Sequence, residues 1–80
     1  MNLILSRHAK RRMKLYSIEE SDIQFLLNTY AINSKVGRQD IVAKLEKFSY
    51  PIKVIFEVKE NTIQLITCYL LKRAKDENRL

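Results

Sequence analysis

Ile52-Lys53-Val54-Ile55-Phe56-Glu57-Val58 and Thr62-Ile63-Gln64-Leu65-Ile66-Thr67-Cys68-Tyr69-Leu70-Leu71 are separated only by Lys59-Glu60-Asn61. In the first run Ile52, Val54, Phe56 and Val58 alternate with Lys53 and Glu57, the period of a strand with one buried and one polar face. The second run carries β-branched and apolar residues at both parities, as a central strand does. The short polar link predicts a tight turn over Lys59–Thr62, with Asn61 in the left-handed region.

Upstream, Ile41 to Phe48 reads as another strand, bounded by Gly37 before it and Ser49-Tyr50-Pro51 after it. Before about residue 30 the period changes to that of a helix. Ile23, Leu26, Leu27 and Tyr30 recur at i, i+3, i+4 and i+7. Ser17-Ile18-Glu19-Glu20 ahead of them reads as a capping box, with Ser17 as N-cap and Glu20 reaching back. Ile18 and Phe25 form a second apolar edge that must meet a neighbouring element or a partner. A first helix, about residues 7–15, follows Ser6 as N-cap and has Ala9, Met13 and Tyr16 on its buried stripe. Leu3-Ile4-Leu5 is a short strand or an apolar lead-in. The expectation is one α+β domain over residues 1–80: two N-terminal helices packed on a twisted antiparallel sheet of three to four strands, with a polar tail over 71–80.

Eighty residues leave no room for a separate cofactor domain, and one cysteine, Cys68, excludes a disulfide scaffold. A single His and a single Cys cannot build a zinc site of His and Cys ligands within one chain. With Gly37 as the one glycine there is no phosphate-cradling glycine loop. No apolar run is long enough to span a membrane or to act as a signal peptide. A cytoplasmic, metal-free and cofactor-free protein is expected. Fifteen Lys and Arg against nine Asp and Glu give a formal charge of +6. The excess is concentrated: residues 1–16 hold Arg7, Lys10, Arg11, Arg12 and Lys14 and no acid. Such a patch attracts anions, and RNA is the natural candidate.

His8 and Arg12 are four apart on the first helix and share a face that borders the buried stripe, a crevice where helix meets sheet, with Arg11 ~60° further round and Arg7, Lys10 and Lys14 fanning out opposite the stripe. An imidazole beside guanidinium groups can hold a phosphate and move a proton. The plainer alternative is a surface histidine on a solvated basic face. Tyr69, Lys72 and Arg73 end the last strand and bring a phenol and two cations to one edge of the sheet. A metal-free ribonuclease needs a base for the 2′-hydroxyl, cations for the phosphorane and an acid for the leaving oxygen. Tyr69, Tyr50 or Phe48 could stack an unpaired base. Tyr69 as a rim residue, with Lys72 and Arg73 blunting a strand end, is the alternative. Cys68 reads as an inert buried thiol, and Glu19, Glu20 and Asp22 as charges matched to a helix dipole.

Ser6-Arg7-His8-Ala9-Lys10-Arg11-Arg12-Met13, the helix start Ser17-Ile18-Glu19-Glu20-Ser21-Asp22-Ile23 and the closing Leu65-Ile66-Thr67-Cys68-Tyr69 resemble a small domain family with a His-Ala-x-x-Arg-Met helix. That family lies near the RelE/ParE-like and BrnT-like toxins of toxin–antitoxin pairs. The resemblance implies a RelE-like fold and a metal-independent endoribonuclease toxin cleaving mRNA, free or on the ribosome. It also implies a small acidic antitoxin covering the basic groove. His8 and Arg12 match the motif's fixed pair, and Tyr69 matches its closing Tyr. The chain departs from the pattern at Tyr16, often Arg in the family, and at Ser17, often Gly. Losing that Arg removes a cation for which Arg11 could substitute. In this reading His8 is general acid or base, Arg12 and Arg11 hold the phosphate, and Arg7, Lys10, Lys72 and Arg73 add RNA contacts. The rival readings are a non-enzymatic RNA- or protein-binding module and a ParE-like inhibitor of a protein target. A homodimer is a further candidate assembly.

Overall fold

The computed structural model describes residues 2–30 and 35–71. The elements are β1 (Asn2–Leu5), α1 (Arg7–Tyr16), α2 (Glu20–Tyr30), β2 (Gly37–Ala43), β3 (Ile52–Val58) and β4 (Thr62–Leu70), and the sheet order is β1-β4-β3-β2. This is an α+β arrangement of two helices and a four-stranded sheet. The expected helices-then-strands order and wholly antiparallel sheet are corrected by β1. Its Leu3 lies opposite Ile63 and its Leu5 opposite Leu65, parallel to β4, so the sheet is mixed and a strand comes first. β4 lies between β1 and β3.

β3 has the expected bounds. Its Ile52, Val54, Phe56 and Val58 are buried against the helices, opposite Leu70, Cys68, Leu65 and Ile63 of β4. The pairing slips between Ile55 and Phe56: Thr67 faces Ile55 and Leu65 faces Phe56, leaving Ile66 unopposed. This bulge reverses the alternation of β4. Ile63 and Leu65 point to the core before it, and Cys68 after it. The Lys59–Thr62 turn is closed by two backbone hydrogen bonds, of 2.7 and 3.5 Å. Asn61 does not take the left-handed conformation expected of it; among the described non-glycine residues Ser17 alone has positive φ.

β2 begins and ends earlier than the expected 41–48. The chain enters at Gly37, with φ 129°, and leaves the sheet after Ala43. The Lys44 ammonium then donates to the carbonyls of Leu45 and Phe48, and Phe48 turns into the core at 7% exposure. Burial removes Phe48 from the candidate stacking residues.

The two helices meet differently from the expected capping box. Ser17 is not the N-cap of α2 but the residue ending α1, at φ 59° and ψ 37°. Its N–H donates to the Lys14 carbonyl and that of Ile18 to the Met13 carbonyl, a Schellman motif with Met13 and Ile18 both buried. α2 is capped two residues later: the Glu19 N–H donates to the Asp22 carboxylate at 2.9 Å, while the Asp22 and Ile23 N–H groups donate to the Glu19 carbonyl. Asp22 also binds the Lys47 ammonium at 2.9 Å, tying the β2–β3 loop to α2 and raising the Lys47 pKa through that hydrogen bond. The acidic cluster is thus structural. Ile18 belongs to the core, whereas Phe25 and Tyr30 are exposed, so Tyr30 drops out of the expected stripe.

A left-handed serine costs energy that glycine does not. Ser17→Gly is therefore expected to stabilise the domain by roughly 0.5–1 kcal/mol, after the greater entropy of an unfolded glycine is subtracted. A thermal melt rising by several degrees is the expected result; an unchanged or lower midpoint contradicts the assignment.

Candidate nucleic-acid interface

α1 is fixed to the sheet by its N-cap residue, Ser6. The Ser6 hydroxyl accepts from the Ala9 N–H and donates to the Ile66 carbonyl, both at 2.9 Å. The Ser6 N–H donates to the Leu65 carbonyl at 3.2 Å. One side chain thus caps the helix and holds it to the β4 bulge. With Ala9 and Met13 buried and Tyr16 packed at the core edge, the rotation of α1 about its axis is set.

That rotation exposes Arg7, His8, Lys10, Arg11 and Lys14. Arg12 is half-buried, near enough to Cys68 for its charge to act on the thiol. Leu15 stands among the cations at 67% exposure. Tyr16, at the position where the resembled family often has Arg, contributes apolar packing. The first turn of α1 contains no acid, and only Lys14 lies in the last turn. Arg7 and Lys10 therefore face the positive end of the helix dipole, an arrangement that costs stability unless an anion is present. Among the described residues the ion pairs are Lys47–Asp22 and Lys53–Asp40, and neither uses a cation of α1.

Tyr69 is not part of this cluster. It follows the fully buried Cys68 and lies opposite Lys53 on the outer face of the sheet, away from the helices. The β-sheet separates its phenol from His8 and Arg12. Without the bulge at Ile66, Tyr69 would share the parity of Ile63 and Leu65 and point toward α1. Lys72 and Arg73 lie outside the described residues, as does the rest of the expected tail beyond Leu71. Tyr50 is exposed. Lys53 was visible in the sequence as the polar side of β3. The Arg38–Asp40 segment of β2 was not, because its polar residues give no strand period.

Burial pushes the Cys68 thiol up to about 11 from 9.0, with the Arg12 charge pulling the other way. The thiol is protonated at neutral pH and shielded, the inert state expected of it. Below about pH 8 both folded and unfolded chains hold this proton. Between about pH 9 and 11 only the unfolded chain loses it, so stability falls as pH rises, by up to about 2–3 kcal/mol. Denaturant titrations should show that alkaline slope diminished in Cys68→Ala, and thiol reagents should modify the native wild type no faster than it unfolds. An identical slope in the variant contradicts the assignment.

Among the described residues no group of three His, Cys, Asp or Glu could hold a metal ion, and no helix is long and apolar enough to cross a membrane. Neither a protein-family model, nor a curated protein, nor a solved structure matches the chain.

Proposed function

We propose that this chain is a cytoplasmic RNA-binding protein of RelE-like build, and that the exposed face of α1 grips the phosphate backbone. One observation carries the reading. Five cations and no acid occupy a ten-residue helix, two of the cations oppose its dipole, and none has an ion-pair partner among the described residues. A bound phosphate chain supplies the missing counter-charge. Ten helical residues cover ~15 Å, enough for a few successive phosphates.

A hydrolytic reading, the mRNA-cleaving toxin implied by the resemblance, has a narrower observation in its favour. His8 is exposed one turn from Arg12 and Arg11, so a phosphate held by the guanidinium groups has an imidazole beside it. Tyr69 would take no part in that chemistry, because it stands across the sheet. An acidic antitoxin would compete with RNA for the same helix, with Leu15 as an apolar foothold.

The test is purified protein with single-stranded RNA in EDTA, wild type beside His8→Ala. Binding predicts a salt-sensitive complex, intact RNA and nearly equal affinities. Cleavage that His8→Ala abolishes would select the toxin reading. No complex even at low salt would remove both.

A further inference from the structure

β2 is the terminal strand of the sheet, and among the described residues no strand pairs with its outer edge. It is seven residues long, without proline and without a register shift against β3. The opposite edge strand, β1, has four residues. Long regular edges invite pairing with another chain unless bulges, prolines or like charges block it. The outer-face side chains of β2 are Arg38, Asp40 and Val42, one of each sign and one apolar residue.

We propose that two copies of this chain join edge to edge through β2, antiparallel, about a two-fold axis at Gln39. The symmetry makes the argument specific. A two-fold perpendicular to the sheet keeps each side chain on its own face, so every allowed register places one residue opposite its own copy. Centring on Arg38 or on Asp40 sets like charges directly opposite each other. Centring on Ile41 leaves Arg38 without an opposite strand residue and sets Asp40 against Val42, and centring on Val42 pairs only Ile41 to Ala43, because the chain leaves the sheet after Ala43. Centring on Gln39 sets Arg38 opposite Asp40 of the second copy and Asp40 opposite its Arg38, two unlike pairs from one contact. The same register puts the ends of the seam near Val42 and near Val36, just ahead of β2, apolar residues left 55% and 72% exposed in the single chain. An open recess of ≈290 Å³ beside these side chains is lined by Arg38, Gln39 and Asp40 of β2 and Ile55 of β3. Asp40 keeps capacity for a second cation: Lys53 stands 3.6 Å from one oxygen, and the side chain is 59% exposed. The product is an eight-stranded sheet with all helices on one face, and it leaves the basic face of α1 uninvolved.

Sedimentation equilibrium across a concentration series tests this. Wild type is expected to be a dimer in equilibrium with monomer. Arg38→Asp sets acids opposite acids and Asp40→Arg sets bases opposite bases, so each variant alone should dimerise roughly tenfold or more weakly. Mixing the two single variants should restore dimers, because every cross-strand pair is again unlike. The double variant R38D/D40R should dimerise by itself for the same reason. Far-ultraviolet dichroism and melting of each variant separate loss of assembly from loss of folding. A wild type that stays monomeric, a dimer indifferent to either reversal, or folded single variants that do not pair when mixed would each overturn the proposal.

Discussion

Phe56→Ala is expected to leave the domain at or near the point of unfolding. Phe56 is 1% exposed at the centre of β3, with Val54 and Val58 beside it on the buried face and Leu65 opposite it at the bulge. Truncating a buried phenylalanine costs about 3–5 kcal/mol, the transfer of the ring plus the cavity it leaves. A domain of this size has about 4–12 kcal/mol in total. The cavity would open where β4 changes phase, next to the Leu65 and Ile66 carbonyls that hold Ser6, so α1 should loosen with the core. Urea titration should show the midpoint collapse. Phe25→Ala, removing the same ring from a site 55% exposed, should change stability by about 0.5 kcal/mol or less. Equal losses at the two positions would contradict the core assignment.

The second large effect is on binding. Replacing Arg7, Lys10, Arg11 and Lys14 together by Gln removes four of the five cations of α1 without touching its buried stripe. RNA affinity should fall by about two to three orders of magnitude at moderate salt, since each phosphate contact also contributes the release of a condensed counterion. Stability should move the other way or stay level. Arg7 and Lys10 oppose the dipole, so neutralising each should return a few tenths of a kcal/mol. Opposite signs for binding and stability are the mark of residues kept for a ligand; a merely structural helix would lose stability along with its charges.

What the residues revealed followed from how local the relevant physics is. The α1 stripe and β3 were legible because their periods are short-range and their burial is one-sided, and β4 because its run is long and β-branched. β1 was ambiguous because four residues make no period, and its pairing with β4 is a contact across sixty positions. The serine at 17 satisfies a capping-box pattern, yet the same residue ends α1 in the left-handed region, and only the backbone decides between the two roles. The family resembled by this chain often has glycine there, which suits the conformation that Ser17 adopts. The exposed cations of α1 were readable from helical spacing, whereas His8, expected with Arg12 in a crevice at the border of helix and sheet, is exposed. The place of its supposed companion Tyr69 was not readable either, because a single unopposed residue, Ile66, turns the phenol to the far side of the sheet. The bulge moves the core-facing residues from Ile63 and Leu65 to Cys68 and Leu70, a pattern that in the sequence reads as a strand apolar on both faces, so the two halves of the candidate site could be joined in sequence and still stand apart in space.

The central claim is that α1 is a phosphate-binding face, and its most direct measurement is the salt dependence of RNA affinity. With four to five phosphate contacts to a single strand, log K should fall against log salt with a slope of about −3 for the wild type. In the Arg7/Lys10/Arg11/Lys14→Gln variant the slope should shrink to about −0.7, the share of Arg12 alone. A wild-type slope near zero, or equal slopes for the two proteins, would contradict the account.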